Sequence, residues 1–454
     1  MIMLDALTAL DGRYANLTKE FRNVFSEYGL MKYRIFVEIQ WIKFIISNLN
    51  LVSMKAGDIE KLDAIHAEFE IDDAQKVKEI EKITHHDVKA VEYYIKQQLD
   101  ASGFSAIKEW VHFACTSDDI NNISYALMLK KGKEIVVGLM ERLLKDLEHK
   151  AVKYKDVPMM ARTHGQPASP TTVGKEFINY SWRILQEIKI LNACEIQAKI
   201  NGATGNYNAH HFVHPGIDWI EGSQLFISKY LGLSPILFTT QVNPNHSMAF
   251  VLQTLIRSCA VIIDMDRDIW GYISLGYFKQ QVKKKETGSS TMPHKVNPID
   301  FENSEGNMGM AISLMEHLSV KLQKSRFQRD LSDSTVLRSL GAVFGYFAIG
   351  VKNARKGLSK IDLNTDVVQK DLDDNPELLA EPFQTAMRMF GEDNPYERLK
   401  ELTRGQKITK QDLETFVGNL KKVPEPFKEK MKQLTPKGYI GLAQHLIDLY
   451  FSQK

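Results

Sequence analysis

The chain contains 454 residues, of which 44% are hydrophobic and 25% are charged. This length exceeds one ordinary domain and predicts a globular protein of two or three domains. The formal net charge of +2 argues against a dedicated nucleic-acid surface, because such a surface needs a strong basic excess.

The cysteines and the apolar runs indicate a cytoplasmic protein. Cys115, Cys194 and Cys259 are odd in number and far apart, so they form neither a disulfide framework nor a CxxC metal motif. This usage fits a reducing compartment. Residues 1–10 lack the basic region of a secretory signal, and we expect no apolar run near the roughly 20 residues that cross a bilayer.

Proline spacing and hydrophobic periodicity predict helices along most of the chain. No proline precedes Pro158, and another long gap separates Pro244 from Pro293. Proline costs about 3 kcal/mol inside a helix, so these gaps allow long helices. Apolar residues recur at helical spacing in the segments 174–200, 250–273 and 312–322. Alternating strand patterns of useful length are hard to find, so the predicted fold class is all-α.

Three domains are predicted from the change in texture along the chain. Residues 1–110 form a proline-free helical domain, and residues 111–362 form a central bundle of long helices. Six prolines after residue 375 predict shorter helices and a separate domain over residues 363–454. Long helices with apolar residues on more than one face predict a homo-oligomer.

Small polar residues interrupt the helical pattern in four stretches. In chain order these are Thr84–Asp87, Cys115–Asp119, Arg162–Pro167 and Gly288–Pro298. The last has a glycine that permits close approach to a ligand, three hydroxyls from Ser289, Ser290 and Thr291, the cation of Lys295 and the amide of Asn297. Such a loop could cradle a carboxylate and act as a lid. The alternative, an ordinary surface loop, would be the better interpretation of the composition alone.

The remaining candidates each have a structural alternative. An imidazole suits proton donation near neutral pH, which makes His164 a candidate acid, yet a lone histidine is more often structural, and the same two interpretations apply to His86 beside Asp87. Arg329 and Arg338 flank a serine-rich segment that could hold a phosphate or form solvated salt bridges. No histidine or cysteine spacing indicates a metal site.

The stretch Gly288–Pro298 resembles the signature of the fumarase/aspartase superfamily, a glycine-serine-x-x-methionine-x-x-lysine-x-asparagine pattern. Five further stretches resemble the adenylosuccinate lyase family in its bacterial form: Thr84–Tyr93, Phe113–Asn122, Arg162–Pro170, Lys199–His210 and Asp300–Arg338. The likeness extends from Asp11 to about Gly405. It implies a three-domain, all-α homotetramer with a central helix bundle, whose active sites combine segments from three subunits.

The resemblance also implies an activity and residue roles. The family cleaves adenylosuccinate to AMP, and succinylaminoimidazole carboxamide ribotide to its aminoimidazole product, and it releases fumarate each time. No cofactor and no metal is implied. Carried over by position, Ser289 is the general base, His164 the general acid and Glu302 the partner that polarises His164. Lys295 and Asn297 hold the succinyl carboxylates with Thr116 and Ser117. The other implied substrate contacts are Arg13, Tyr14, His85, His86, Asp87, Gln241, Ser290, Val296, Asn303, Arg329, Ser334 and Arg338.

Two positions depart from the family pattern, because His85 stands where asparagine is expected and Asp118 stands where glutamate is expected. Both are polar replacements, and they leave open what His85 contacts. Three alternative functions stay open at this point. The chain could cleave another substrate of the superfamily, such as argininosuccinate. It could be an inactive protein on the same scaffold. The least favoured alternative is an RNA-binding helical module, given the charge balance.

Overall fold

The computed structural model describes residues 4–281, 292, 295–404 and 408–454. Helices dominate these residues, as the periodicity predicts. The α-helices are α1 (Arg22–Phe25), α2 (Glu27–Ser47), α3 (Ala56–Lys61), α4 (Asp63–Ala67), α5 (Ile71–Thr84), α6 (Asp87–Ala101), α7 (Ser117–Lys153), α8 (Val173–Ala193), α9 (Asn208–Val213), α10 (Trp219–Leu225), α11 (His246–Ser274), α12 (Ile299–Lys321), α13 (Ser332–Leu337), α14 (Leu340–Leu358), α15 (Thr365–Asp373), α16 (Ala380–Met389), α17 (Pro395–Thr403), α18 (Lys410–Gly418), α19 (Glu425–Gln433) and α20 (Ala443–Gln453).

Short strands also occur, although the sequence shows no alternating pattern of useful length. They are β1 (Pro158–Thr163), β2 (Gln166–Thr172), β3 (Gln197–Ala198), β4 (Ser234–Pro235), β5 (Phe278–Gln280) and β6 (Ile361–Leu363). β1 pairs antiparallel with β2, β3 parallel with β4, and β5 antiparallel with β6. These pairs are too small to form a layer, so the all-α class is confirmed as the main architecture.

The long helices follow the predicted segments with shifted ends. The segment 250–273 lies inside α11, which has 29 residues, and the segment 312–322 forms most of the second half of α12. The segment 174–200 was predicted too long, because α8 ends at Ala193 and the chain then enters β3. α7 is the longest of the described helices, with 37 residues.

Residue contacts divide the chain into two compact units, each built from separate segments. Unit 1 contains Met1–Met140, Glu187–Ala260 and Ser304–Lys352, and unit 2 contains Glu141–Gln186, Val261–Asn303 and Asn353–Lys454. The three sequential domains 1–110, 111–362 and 363–454 stay a prediction.

The core of unit 1 includes α2, which is buried on nearly all of its circumference. Ile35, Ile39 and Ile42 pack with residues of α5 and α6 in one hydrophobic cluster. A helix that is apolar all round belongs in a core. α2 nevertheless buries two charged side chains, Arg34 and Glu38, and both reach residues near the predicted site.

The core of the C-terminal segment lies within unit 2 and is built from shorter helices. Phe383, Met387, Leu413 and Val417 are buried there with residues of α17 and α19. Prolines stand in the first turn of α17 and α19, where their missing N–H is no loss. The crowded prolines of this segment therefore begin helices as well as separating them.

Two stretches are long and apolar enough to cross a membrane by length and composition, which corrects the expectation that none comes near that length. They are His246–Ser274 and Ser332–Leu358. In each, more than half of the most apolar window is buried inside the protein, at 61% and 56%. The core helices of water-soluble proteins share this pattern.

Candidate active site

His164 stands at the tip of the β1–β2 hairpin in unit 2. Thr163 pairs with Gln166, so His164 and Gly165 alone form the turn, with φ of 52° and 74°. Positive φ at both turn residues is the signature of the tight hairpin turn that matches strand twist. Histidine tolerates this conformation better than most residues, and glycine tolerates it without cost. The hairpin therefore presents an exposed imidazole at a fixed point.

An ion pair at β1 and a hydrogen bond at β2 fix the hairpin within unit 2. Arg162, two residues before the tip, donates to Asp371 of α15 at 2.7 Å, and the buried Tyr277 donates its hydroxyl to the same carboxylate. On β2, Ser169 donates to Glu381 of α16. Helices α15 and α16 of the C-terminal segment thus hold the two strands that carry His164.

The end of the signature loop and the start of α12 also belong to unit 2. Lys295 and Val296 are exposed, and the carbonyl of Val296 accepts from Gln280 at 2.9 Å, which ties the loop end to β5. Asn297 is half-buried. Ser289 and Ser290, the predicted base and its neighbour, lie outside the described residues.

Glu302 and Asn303 lie in the first turn and a half of α12. Glu302 accepts a hydrogen bond from Trp270 at 3.1 Å, and Asn303 accepts from Asn353 at 3.0 Å. Within the described residues of one chain, no hydrogen bond joins Glu302 to His164. The pairing implied by the resemblance therefore stays a prediction about the assembled protein.

In unit 1, the junction of α5 and α6 holds His85, His86 and Asp87. His85 ends α5 with φ of 51°, and His86 caps α6 by accepting the backbone N–H of Lys89 at 3.2 Å. A left-handed helix end is a common place for asparagine and a tolerable one for histidine. The exchange of asparagine for histidine at this position is thereby explained by backbone geometry.

Asp87 connects three elements of unit 1. Its Oδ2 accepts from Arg34 of α2 at 2.7 Å and from Arg338 at 3.4 Å. Arg34 also donates to Asn121 of α7 at 2.9 Å. Burial alone would raise the pKa of Asp87, but the charge and hydrogen bond of Arg34, the backbone N–H of Val88 and the charge of Arg338 together outweigh burial and hold that pKa below its usual value.

A second polar group surrounds the N-terminus of α7. Ser117 is the first residue of the helix, and the backbone N–H of Thr116 donates to Asp119 at 2.8 Å. Gln241 donates to the carbonyl of Ala203 at 2.9 Å and accepts from Arg329 at 3.0 Å. The structure thus directs Arg329 toward another predicted substrate contact, whereas a solvated salt bridge is formed by Arg326 with Asp330.

Asp118 is a buried acid next to these groups. Its Oδ2 has no hydrogen-bond partner, and burial raises its pKa to about 6, against the opposing charges of Lys199 and Arg329.

The remaining predicted contacts are distributed in unit 1. Arg13 and Tyr14 lie in the turns before α1, with Arg13 exposed and Tyr14 half-buried, and Ser334 lies half-buried in α13. The structure therefore groups most predicted nucleotide contacts in one unit, while His164, Glu302 and the loop end belong to the other. Among the described residues, no group of three or more His, Cys, Asp or Glu could hold a metal ion.

Three buried residues with structural contacts to the site were given no role by the sequence, namely Arg34, Asp119 and Lys199. Arg34 lies 53 residues from Asp87, and Lys199 lies 80 residues from Asp119, with which it pairs at 2.9 Å. A buried charge in an apolar helix is the one signal that could have indicated Arg34.

Comparison with known proteins agrees with this architecture. A lyase family model matches residues 12–312, and an adenylosuccinate lyase C-terminal model matches residues 325–440. Adenylosuccinate lyase of Vibrio cholerae is 47% identical over 450 residues, which cover 98% of both chains. The enzymes of that name from Escherichia coli K12 and Haemophilus influenzae are each 46% identical with the same coverage.

The chain belongs to the adenylosuccinate lyase family. It is a lyase, and the resemblance seen in its motifs is confirmed over the full length.

Solved structures of more distant proteins share the fold. A fumarate lyase from a Mesorhizobium species superimposes with a TM-score of 0.78 at 16% identity, over 96% of this chain and 98% of the other. A 3-carboxy-cis,cis-muconate lactonizing enzyme from Pseudomonas putida superimposes with a TM-score of 0.75 at 17% identity, over 97% and 98%. At such low identity these likenesses show the fold alone, and they confirm the fumarase/aspartase-like class.

Proposed function

We propose that this lyase cleaves adenylosuccinate to AMP and fumarate, and that it also cleaves succinylaminoimidazole carboxamide ribotide with release of fumarate in purine nucleotide biosynthesis. The observation that carries the proposal is the 47% identity to an adenylosuccinate lyase over 98% of both chains. The polar residues of the signature pattern are also all present in this sequence. The grouping of Gln241 with Arg329 in unit 1 supports a site for an anionic substrate.

The chemistry begins with removal of a proton from the carbon next to a succinyl carboxylate. Ser289 takes this proton, and the charge of the resulting carbanion spreads into the carboxylate. Lys295 and Asn297 stabilise that charge as preorganised donors. Thr116 and Ser117 at the N-terminus of α7 hold the succinyl group, where the helix end favours a carboxylate.

The second half of the reaction breaks the carbon–nitrogen bond. The electron pair of the former carbon–hydrogen bond becomes the double bond of fumarate, and the nitrogen leaves with the bonding pair. His164 protonates that nitrogen, so that the amine departs neutral. The exposed hairpin tip supports this role, because His164 makes no hydrogen bond within the described part of its own chain and is free to meet a substrate.

Self-association as a homotetramer completes the proposal. Several long helices expose large apolar side chains, including Trp182 of α8 and Trp270 of α11, at 56% and 46%. Such exposure on helices supports burial against further subunits. In the tetramer, Glu302 would orient His164 of another subunit. We place the enzyme in the cytoplasm, with nucleotides as substrates and neither nucleic acid nor membrane as a partner.

A substrate panel tests the proposed activity. Purified enzyme is given adenylosuccinate, the carboxamide ribotide substrate and argininosuccinate, and fumarate is quantified with the amine product. We expect one fumarate per AMP from adenylosuccinate and none from argininosuccinate. Turnover of argininosuccinate alone would overturn the assignment. Light scattering of the same sample should give four times the mass of one 51.8 kDa chain.

A further inference from the structure

The loop from Val111 to Ser117, which leads into α7, is held in an unusual backbone conformation. His112 and Ala114 have φ of 61° and 57°, so two residues other than glycine are left-handed within three positions. Such conformations persist where the surroundings determine them, and they concentrate at functional sites. The loop ends on Thr116 and Ser117, the predicted contacts of the succinyl carboxylate.

Asp119 is the side chain that holds the end of this loop. It is fully buried, with 0% exposure. Its Oδ2 accepts from the backbone N–H of Thr116 at 2.8 Å and of Gly202 at 3.2 Å. Its Oδ1 accepts from the backbone N–H of Asn201 at 3.0 Å and from Lys199 at 2.9 Å. One carboxylate thus joins the loop to residues 199–202.

Residues 199–203 are fixed from other sides as well. Asn122 of α7 donates to the carbonyl of Lys199 at 3.0 Å and accepts its backbone N–H at 2.9 Å. The carbonyl of Ala203 then accepts from Gln241 at 2.9 Å. Two predicted substrate contacts from distant parts of the sequence, Thr116 and Gln241, are therefore attached to the same five residues.

The charge of Asp119 is balanced inside the protein. Lys199 is also fully buried, and its Nζ reaches only Asp119 and, at 3.4 Å, the carbonyl of Gly202 among the hydrogen bonds of the described residues. A buried pair of this kind is a poor source of stability, because desolvation offsets the attraction between the charges. Its value here is in geometry, since the lysine neutralises a carboxylate that orients three backbone N–H groups.

We propose that Asp119 is a positioning residue for substrate binding. It holds Thr116, Ser117 and the 199–203 segment in the arrangement that receives the succinyl carboxylate and the contacts of Gln241, and Lys199 is its counter-ion. This inference rests on the proposed function, because it takes Thr116 and Gln241 as substrate contacts. Asp119 itself touches no substrate.

The test is a charge-neutral double variant, Asp119→Asn/Lys199→Met. An amide cannot accept from all the donors that surround the carboxylate, and the methionine removes the cation that would otherwise be buried without a partner. The expected result is a rise in KM for adenylosuccinate on the order of 10-fold to 100-fold, because a small displacement of binding groups has effects of this size. The fall in kcat should be smaller.

Glu392→Gln is the matched control. Glu392 is buried, and it accepts from Arg398 at 2.8 Å and from the backbone N–H of Lys422 and Val423. It therefore also joins a cation to backbone donors, but in the C-terminal segment, which carries none of the predicted site residues. Its loss should lower the melting temperature and leave KM unchanged.

The outcomes separate this inference from the proposed function. A wild-type enzyme without activity on adenylosuccinate defeats the proposed function. The positioning role alone is wrong if the wild type is active and the double variant has an unchanged KM. In that case the double variant would show only a loss of melting temperature, like the control. If the double variant does not fold, Asn122→Ala loosens the same segment with all charges paired. It should raise KM several-fold, and a KM equal to that of the control overturns the inference.

Discussion

The hairpin that carries His164 and the loop that carries Thr116 place predicted functional groups by opposite means. The hairpin tip is exposed, and its position depends on a tight turn, on the half-buried ion pair of Arg162 with Asp371 and on the hydrogen bond from Ser169 to Glu381. The loop is held from inside by a fully buried carboxylate, which accepts the backbone N–H of Thr116. A proton donor acts on the leaving group in the chemical step, whereas a preorganised carboxylate site acts when the substrate binds. We therefore expect damage to the hairpin to act on kcat and damage to the loop to act on KM.

The largest effect should come from the hairpin tip itself. His164→Ala removes the proposed acid, and Ser289→Ala removes the proposed base, so each should lower kcat by more than about 10²-fold. Steady-state assays of fumarate release measure this loss. His445→Ala, which changes an exposed histidine of α20, is the control and should leave kcat unaffected. Near-normal turnover in either site variant would remove that residue from its role.

A smaller effect should follow from loosening the strands below the tip. Asp371→Asn weakens the contacts with Arg162 and Tyr277, so that His164 is less well placed, and kcat should fall about 10-fold with little change in KM. Asp366→Asn makes the same exchange at an exposed position of α15 and should change neither constant. If KM rises in Asp371→Asn as much as kcat falls, the hairpin also contributes to binding and the division between the two regions is wrong.

The sequence predicts a feature of these regions when neighbouring residues form it, and fails when distant residues form it. The periodicity of residues 250–273 predicted α11 because one helix carries the whole signal. The hairpin was not predicted, because strands rarely contain prolines and Pro158, Pro167 and Pro170 stand in this one. A two-stranded hairpin has only edge strands, and each strand has a side without pairing that tolerates proline.

The candidate site also contains features that no local sequence pattern predicts. The stretch Cys115–Asp119 was recognisable by its residues, and the role implied for Thr116 needs no knowledge of the fold. The pairing of Asp119 with Lys199 spans 80 residues and has no local pattern, so only the folded chain reveals it. The contact of Arg34 with Asp87 is hidden for the same reason.

The last expected effect concerns the stability of the protein, not its turnover, and it lies next to the loop. Burial raises the pKa of Asp118 to about 6 from 3.8, so the folded protein holds this proton more tightly than the unfolded chain. The resulting stabilisation is complete below the lower pKa and is lost as pH rises through the higher one. Asp118→Asn should therefore raise the unfolding free energy at pH 7 by up to about 3 kcal/mol. Denaturant titrations at pH 4 and pH 7 measure the change. A gain of equal size at both pH values would contradict the buried, unpartnered state of Asp118.

Fumarate progress curves of three proteins test the account most directly: the wild type, Asp371→Asn and Asp119→Asn/Lys199→Met. The account predicts that the wild type cleaves adenylosuccinate, that Asp371→Asn has a lower kcat, and that Asp119→Asn/Lys199→Met has a higher KM. An inactive wild type, or two variants with the same pattern of change in kcat and KM, would contradict it.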